Sequence, residues 1–393
     1  MSPMKIVAVA VAVAVALSGC SSGAGDSVDS SAANVTKPTI EKCPRPLAPA
    51  NRTRKAVVSH PFGDRPNRYE VLSLTAGGTL ARSGVEFEMG RASSAVPIVF
   101  TPDGKIGLAV QEGGTVGVFR VTSSGGVEVI DAGWYGGFHA GGLTMDPTGS
   151  RVFAVDQNTA EHGGGLYELA IGCDGRLSSR GLVVPGGRGQ AFTFIPGVPT
   201  RGVYFAARAF DSAPTSNTFL LDVSAAAPTL VAQGDGFGDA LAIVSSIGIT
   251  ADGKYALVGD GGIGAGNRVA VVSLASMKQR QLLETAFPYS IATSPWNNAA
   301  IVVNGDSADE ITTLGYAAAN EETPFSITGT IPSNLPGVAV SVTRGARSGR
   351  VLVAELSSVR QLQFTEDGHV DDVDRLHFPA TIDDIVGTIG IEP

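Results

Sequence analysis

The sequence predicts an all-β fold, a seven-bladed propeller, and three observations lead there. A short apolar segment recurs seven times along the chain. Each of the first six copies is followed by a turn and further short strands. The two ends of the chain are incomplete in complementary ways.

The recurring segment occupies Val96–Pro102, Gly142–Pro147, Ala191–Pro199, Ser246–Ala251, Tyr289–Pro295, Val338–Arg344 and Gly387–Pro393. Its closing residues are spaced by 45, 52, 52, 44, 49 and 49 positions. Turns such as Pro102–Lys105, Pro147–Ser150 and Ala251–Lys254 follow, with Asp-Gly or Thr-Gly at their centre. The next strand is continuously apolar, as expected where both faces are buried: Ile106–Val110, Arg151–Val155, Val203–Ala207, Tyr255–Val258, Ala300–Val303 and Val351–Ala354. Third strands are read at Thr115–Val121, Leu166–Ile171, Thr218–Val223, Arg268–Leu274 and Val359–Phe364. Glycine turns at Ser124–Val127, Cys173–Leu177 and Asp367–Val370 lead into fourth strands. Four short strands per unit of this length is the pattern of a propeller blade.

The ends supply the test of closure. Ala56–Ser59 and Arg68–Leu74 read as second and third strands, and Ala76–Leu80 as the turn into a fourth, with no first strand before them. The seventh copy, Gly387–Pro393, has no strands after it. It is expected to complete the blade begun by residues 56–85, which leaves no open sheet edge at the join.

The N-terminal segment has a different character. Lys5 precedes an unbroken apolar run of 12 residues, Ile6–Leu17. A membrane-spanning helix needs about 20 residues, so the run fits the core of a signal peptide instead. Leu17-Ser18-Gly19-Cys20 resembles the bacterial lipobox, which implies cleavage before Cys20 and diacylglycerol on its thiol. The expected organisation is a signal peptide (1–19), a small-residue tether (20–42) and the propeller (43–393), exported and held to a membrane by the acyl chains on Cys20.

Net charge is −9, and cleavage of residues 1–19 removes only Lys5 among the charged residues. An acidic chain without a basic cluster argues against nucleic acid and against electrostatic adhesion to anionic lipid. Charged residues make up 17% of the chain and glycines number 51, which suits strands joined by tight turns. With Cys20 acylated, Cys43 and Cys173 remain as a pair, and in an oxidising compartment a disulfide is expected. In a propeller the first–second and third–fourth turns share one face. The chain enters on that face, about 13 residues after Cys43, a length that reaches about 43–47 Å. Cys173 lies in a third–fourth turn, so a Cys43–Cys173 bond would hold the tether to that face and leave the other one open.

One stretch supports a family resemblance. Phe138–Gln157, followed by Leu166–Leu169 and Cys173–Leu177, resembles the 6-phosphogluconolactonase-like lactonases and their Tyr-Val-Thr-Asn-repeat relatives. That resemblance covers about residues 55–393 loosely and implies a seven-bladed propeller with lactone hydrolysis as its activity. Where members usually carry Pro-His-Ala-His, this chain has Phe138-His139-Ala140-Gly141, which keeps the first histidine and replaces the second. Pro288-Tyr289-Ser290 stands where a Pro-Arg-His is common.

The open-face loops collect His60, Asp64, Arg65, Arg91, Trp134, His139, Asp156, Glu161, His162, Arg188, Arg208, Asp211, Asp235, Asp239, Asp260, Asp306 and Glu355. A lactonase needs a base to activate water and a cation for the developing oxyanion, roles open to His139 or Asp156 with Arg208. Asp235 and Asp239 could offer oxygens to Ca²⁺, although their spacing is not that of an EF-hand. No other cofactor is indicated. Two motif matches carry no function. Gly259–Gly264 satisfies a dinucleotide pattern but leads into a strand, and Gly19–Gly23 straddles the cleavage site. Because the resemblance departs at family positions, the preferred expectation is a monomeric, non-catalytic module that binds a protein or glycan ligand. Its binding face would include His60, Trp134, Glu161, His162, Asp260 and Glu355. An extracytoplasmic lactonase is the alternative.

Overall fold

The computed structural model describes residues 40–94, 96–156, 164–185, 188–207, 217–225, 228–235, 244–260, 267–305, 310–334, 337–341 and 349–393. All of them fall within one unit, Lys37–Pro393. Cys20 and the rest of residues 1–39 lie outside the described residues.

Seven four-stranded antiparallel sheets form the ring. Six blades run inward to outward in chain order. Their inner strands are Val99–Phe100, Ala140–Met145, Arg188–Ile195, Val244–Ile249, Pro288–Thr293 and Ala339–Ser341. The first blade takes its second, third and outer strands from Arg54–His60, Arg68–Leu74 and Leu80–Glu88, and its inner strand from the far end of the chain, Thr388–Ile391. That inner strand pairs Ala56 with Ile391, Val57 with Gly390, Val58 with Ile389 and Ser59 with Thr388. The expected closure is therefore present.

The core consists of seven apolar clusters, one at each interface between neighbouring blades. This explains the continuous apolar character of the second strands. In Arg54–His60, Val57 faces the second blade while Val58 faces the seventh, so alternate residues enter different interfaces and both must be apolar. Hydroxyls near the axis bond across blades: Thr388 Oγ1 donates to the Val96 carbonyl at 2.5 Å and Thr293 Oγ1 to that of Ile249 at 2.8 Å.

The Asp-Gly turns behave as their residues dictate. At Thr101–Ile106 the Gly104 N–H donates to the Thr101 carbonyl at 2.8 Å, and Gly104 adopts φ +72°, a left-handed conformation that glycine tolerates without strain. Asp103 Oδ1 accepts from Thr101 Oγ1 at 2.7 Å and from the Lys105 N–H at 3.2 Å. Thr250–Tyr255 repeats the arrangement in the fifth blade.

Cys43 and Cys173 form a disulfide, with Cα atoms 5.3 Å apart. Around it, the segment preceding the first blade lies across the face that carries these turns. Glu41 Oε2 accepts from the Cys173 N–H at 2.9 Å, Arg45 Nη2 donates to the Gly172 carbonyl at 2.8 Å, and the Ala48 N–H to that of Pro102 at 3.2 Å. Arg52 closes the strap with an ion pair to Glu392 at 2.6 Å.

Two features escaped the sequence reading. The third strand of the sixth blade, Glu310–Tyr316, carries threonines and a glycine among its apolar residues. The outer strands alternate between half-buried and exposed positions, as in Val127–Trp134, and lack the apolar density of the inner ones.

Candidate functional site

The face opposite the disulfide is built by the second–third turns and the crossovers between blades. Each second strand ends there, and in six blades its last residue, or in the second blade the residue just after it, is a buried polar one: His60, Gln111, Asp156, Asp260, Asn304 and Glu355 are all 0–2% exposed. Three of these were expected to project into a binding face. All three are instead buried, at no more than 1% exposure.

Each buried group is held internally. His60 Nε2 lies 3.6 Å from Glu70, whose carboxylate accepts two hydrogen bonds from Arg82 at 2.5 and 2.8 Å, and the imidazole meets Phe378 edge-on. Asp260 pairs with Arg268 at 3.6 Å, its cross-strand neighbour. Glu355 accepts from Ser333 and Ser358, both at 2.6 Å, and from Arg360 Nε at 2.7 Å, with Arg375 Nε at 3.3 Å. His60, Asp260 and Glu355 are thus buried polar groups bound to partners within the propeller.

The remaining described candidates converge over the second and third blades. Trp134 ends an outer strand, Val127–Trp134, and the crossover after it carries Tyr135, Phe138 and His139 to the inner strand beginning at Ala140. Ala140 is the cross-strand partner of Asp156, so His139 and Asp156 come from adjacent places on the same rim. Phe138 is buried and stacks on Tyr167 at 4.2 Å with 12° between the rings, while Trp134 meets Phe138 edge-on at 6.3 Å. Tyr135 is 53% exposed. A side chain at Gly114 would collide with the His139 imidazole, so this glycine, at φ +77°, makes room for the histidine.

Asp156 is fully buried and electrostatically connected to the patch. Burial pushes the Tyr167 hydroxyl pKa up, and the Asp156 carboxylate and Tyr135 push it further. Tyr204, in the second strand of the fourth blade, is raised by the same two causes, burial first and Asp156 second. Its hydroxyl is buried and has no hydrogen-bond partner among the described residues. Tyr167 and Tyr204 sit within apolar strands and read as core in the sequence; only the assembled interface places both beside Asp156. The patch offers stacking surface at Tyr135 and the half-buried His139 imidazole, with the Asp156 carboxylate enclosed beneath them.

Glu161, His162, Arg208 and Asp239 lie outside the described residues, as does the side chain of Arg188. Asp235 is exposed, just beyond the outer strand Thr229–Gly234. Among the described residues, the one group with metal-ligand spacing is Glu41, Cys43 and Cys173, and its two sulfurs are joined to each other.

No family model matches the chain, and no curated protein matches it in sequence. Solved structures do match, over nearly their whole length. A candidate 6-phosphogluconolactonase from Bacteroides fragilis superposes with a TM-score of 0.64 at 14% identity, covering 87% of this chain and 99% of that one. The periplasmic gluconolactonase of Pseudomonas aeruginosa does so with a TM-score of 0.62 at 14% identity, covering 87% and 99%. A Lactobacillus plantarum protein gives 0.63 at 12% identity, covering 87% and 100%. At such identities the likeness defines a class, the seven-bladed β-propeller, and extends no further than the fold.

Proposed function

We propose that this chain is an exported propeller, anchored by lipid on Cys20, that binds a glycan or related sugar on the face opposite its disulfide. The observation that carries the reading is Tyr135, 53% exposed beside Trp134 and Tyr167 with Asp156 beneath. Aromatic rings stack on the apolar face of a pyranose, and a polar group at the rim such as the His139 imidazole bonds its hydroxyls; a binding site of this kind is mostly apolar with a few placed polar groups. The disulfide supports an extracytoplasmic location, where such bonds persist.

A second reading, lactone hydrolysis, is favoured by the fold shared with proteins named gluconolactonases and by the adjacency of His139 and Asp156. His139 would take the proton from water as it attacks the lactone carbonyl. A sugar lactone would use the same aromatic surface.

Calorimetric titration of the full-length protein in detergent with oligosaccharides and aldonolactones separates the two. Binding should weaken about tenfold in Tyr135→Ala, the size of one lost stacking contact. Sugar binding indifferent to Tyr135 and Trp134 substitutions would overturn the first reading. Lactone turnover that disappears in His139→Ala would establish the second. Acylation is tested by palmitate labelling, which Cys20→Ser should abolish.

A further inference from the structure

A cavity of about 520 Å³ opens on the disulfide-bearing face, between the fourth, fifth and sixth blades. It lies on the opposite side of the ring from the aromatic patch and is independent of the sugar-binding reading. Its walls include Ile195, Leu220 and Leu274, and three cations line it: Arg201, Lys254 and Arg280.

The two arginines are unlike the others. Every other arginine whose side chain is described makes at least one hydrogen bond or ion pair. Arg201 and Arg280 make none among the described residues, and neither does the Lys254 ammonium. The chain has 37 acidic residues against 28 basic ones, so a scarcity of carboxylates is not the reason.

Nearby carboxylates take their hydrogen bonds from other groups. Asp222 is the cross-strand partner of Arg201, yet its Oδ1 accepts from the Ser224 N–H at 2.9 Å and from Ser224 Oγ at 2.6 Å. Asp252, beside Lys254, is occupied at both oxygens: Thr250 Oγ1 at 2.7 Å and the Lys254 N–H at 3.1 Å on one, Asn297 Nδ2 at 2.8 Å and the Tyr316 hydroxyl at 3.0 Å on the other. The Ser224 hydrogen bonds, with a smaller contribution from the Arg201 charge, hold the Asp222 carboxyl pKa below the ordinary range; at Asp252 burial opposes ionisation, but its hydrogen bonds outweigh burial and lower the pKa. Glu321 also lines the cavity, which leaves three cations against two acids.

We propose that this cavity is an anion site for a phosphate ester whose apolar substituent rests on Ile195, Leu220 and Leu274. Guanidinium forks bind phosphate oxygens in pairs, a lysine adds a point charge, and the volume falls in the ordinary range for small-molecule pockets. A soluble phosphate ester and a phospholipid headgroup share this chemistry.

The test uses full-length protein in detergent, titrated with inorganic phosphate and with phenyl phosphate, and a lipid-reconstituted arm with phosphatidylglycerol in phosphatidylcholine vesicles. Saturable binding is expected, tighter for phenyl phosphate than for inorganic phosphate. It should weaken at least about tenfold in Arg201→Gln/Arg280→Gln and stay unchanged in Arg176→Gln, a cation of the same face outside the cavity. Binding of the soluble ester assigns the site to a soluble ligand, and a phosphatidylglycerol-dependent effect alone assigns it to a headgroup. Absence of saturable binding in every arm would overturn the proposal, as would equal loss in Arg176→Gln. Unchanged near-ultraviolet dichroism confirms that the variants are folded.

Discussion

Val58 and Ile389 face each other across the closure of the ring, and both are at 0% exposure. Ile389 also packs with Leu352 and Ala354 of the seventh blade. Ile389→Ala should therefore cost about 2–5 kcal/mol, the range for truncating a fully buried aliphatic residue. Urea unfolding should show a lower midpoint with an unchanged slope. A loss below about 1 kcal/mol would mean that the ring does not depend on this strand.

The Cys43–Cys173 bond closes a loop of sequence separation 130. Restricting an unfolded chain of that length stabilises the native state, typically by about 2–4 kcal/mol. The double variant Cys43→Ser/Cys173→Ser should lose that amount while keeping its β-sheet dichroism, because the blades are closed by pairing and not by the bond. Thiol titration of the denatured wild-type protein should detect neither cysteine. An unaltered midpoint in the double variant would show that the strap's hydrogen bonds hold it without the bond.

Glu70 makes acid sensitivity predictable in sign. Burial opposes its ionisation, but His60 and Arg82 outweigh burial and keep its pKa below the ordinary 4.5. In the unfolded chain the same carboxyl takes up its proton first as pH falls. Its stabilising contribution is therefore complete above pH 4.5 and is lost as pH drops through the lower native value. Glu70→Gln should be less stable near neutrality and show a shallower acid limb in midpoint against pH. Parallel acid limbs would contradict this assignment.

Tyr204 carries a hydroxyl with no partner among the described residues at a fully buried position. A buried unsatisfied polar group costs about 1–3 kcal/mol. Tyr204→Phe removes it while keeping the ring packed on Phe192 and Phe219, and should raise stability by up to that amount in the ligand-free protein. Destabilisation by more than about 1 kcal/mol would show that the hydroxyl is bonded in solution.

Much of the architecture is legible in the residues because its causes are local. Ile106–Val110 is predicted to the residue, since a continuous apolar run between an Asp-Gly turn and a second glycine turn has few other uses. The third strand of the sixth blade is not, because Thr312 and Thr313 interrupt the pattern and Thr312 Oγ1 instead accepts from Asn304 Nδ2 at 2.8 Å. At the candidate site, Trp134, His139 and Asp156 are legible as neighbours, whereas Tyr167 and Tyr204 look like any aromatic residue in a core strand.

Turn chemistry, strand burial and the wrap-around of seven copies are encoded within short windows, and so they can be read before any folding is considered. Whether a charged side chain at a strand end meets water or the next blade depends on residues far away in the chain. His60 is enclosed for that reason, its ring edge-on to Phe378, whereas the partners of Asp260 and Glu355 come from nearby in the chain. The same distance dependence leaves Arg201 and Arg280 without a hydrogen-bonded or ion-paired carboxylate among the described residues, although the chain is acidic, since charge balance is a property of the whole chain while neutralisation requires contact.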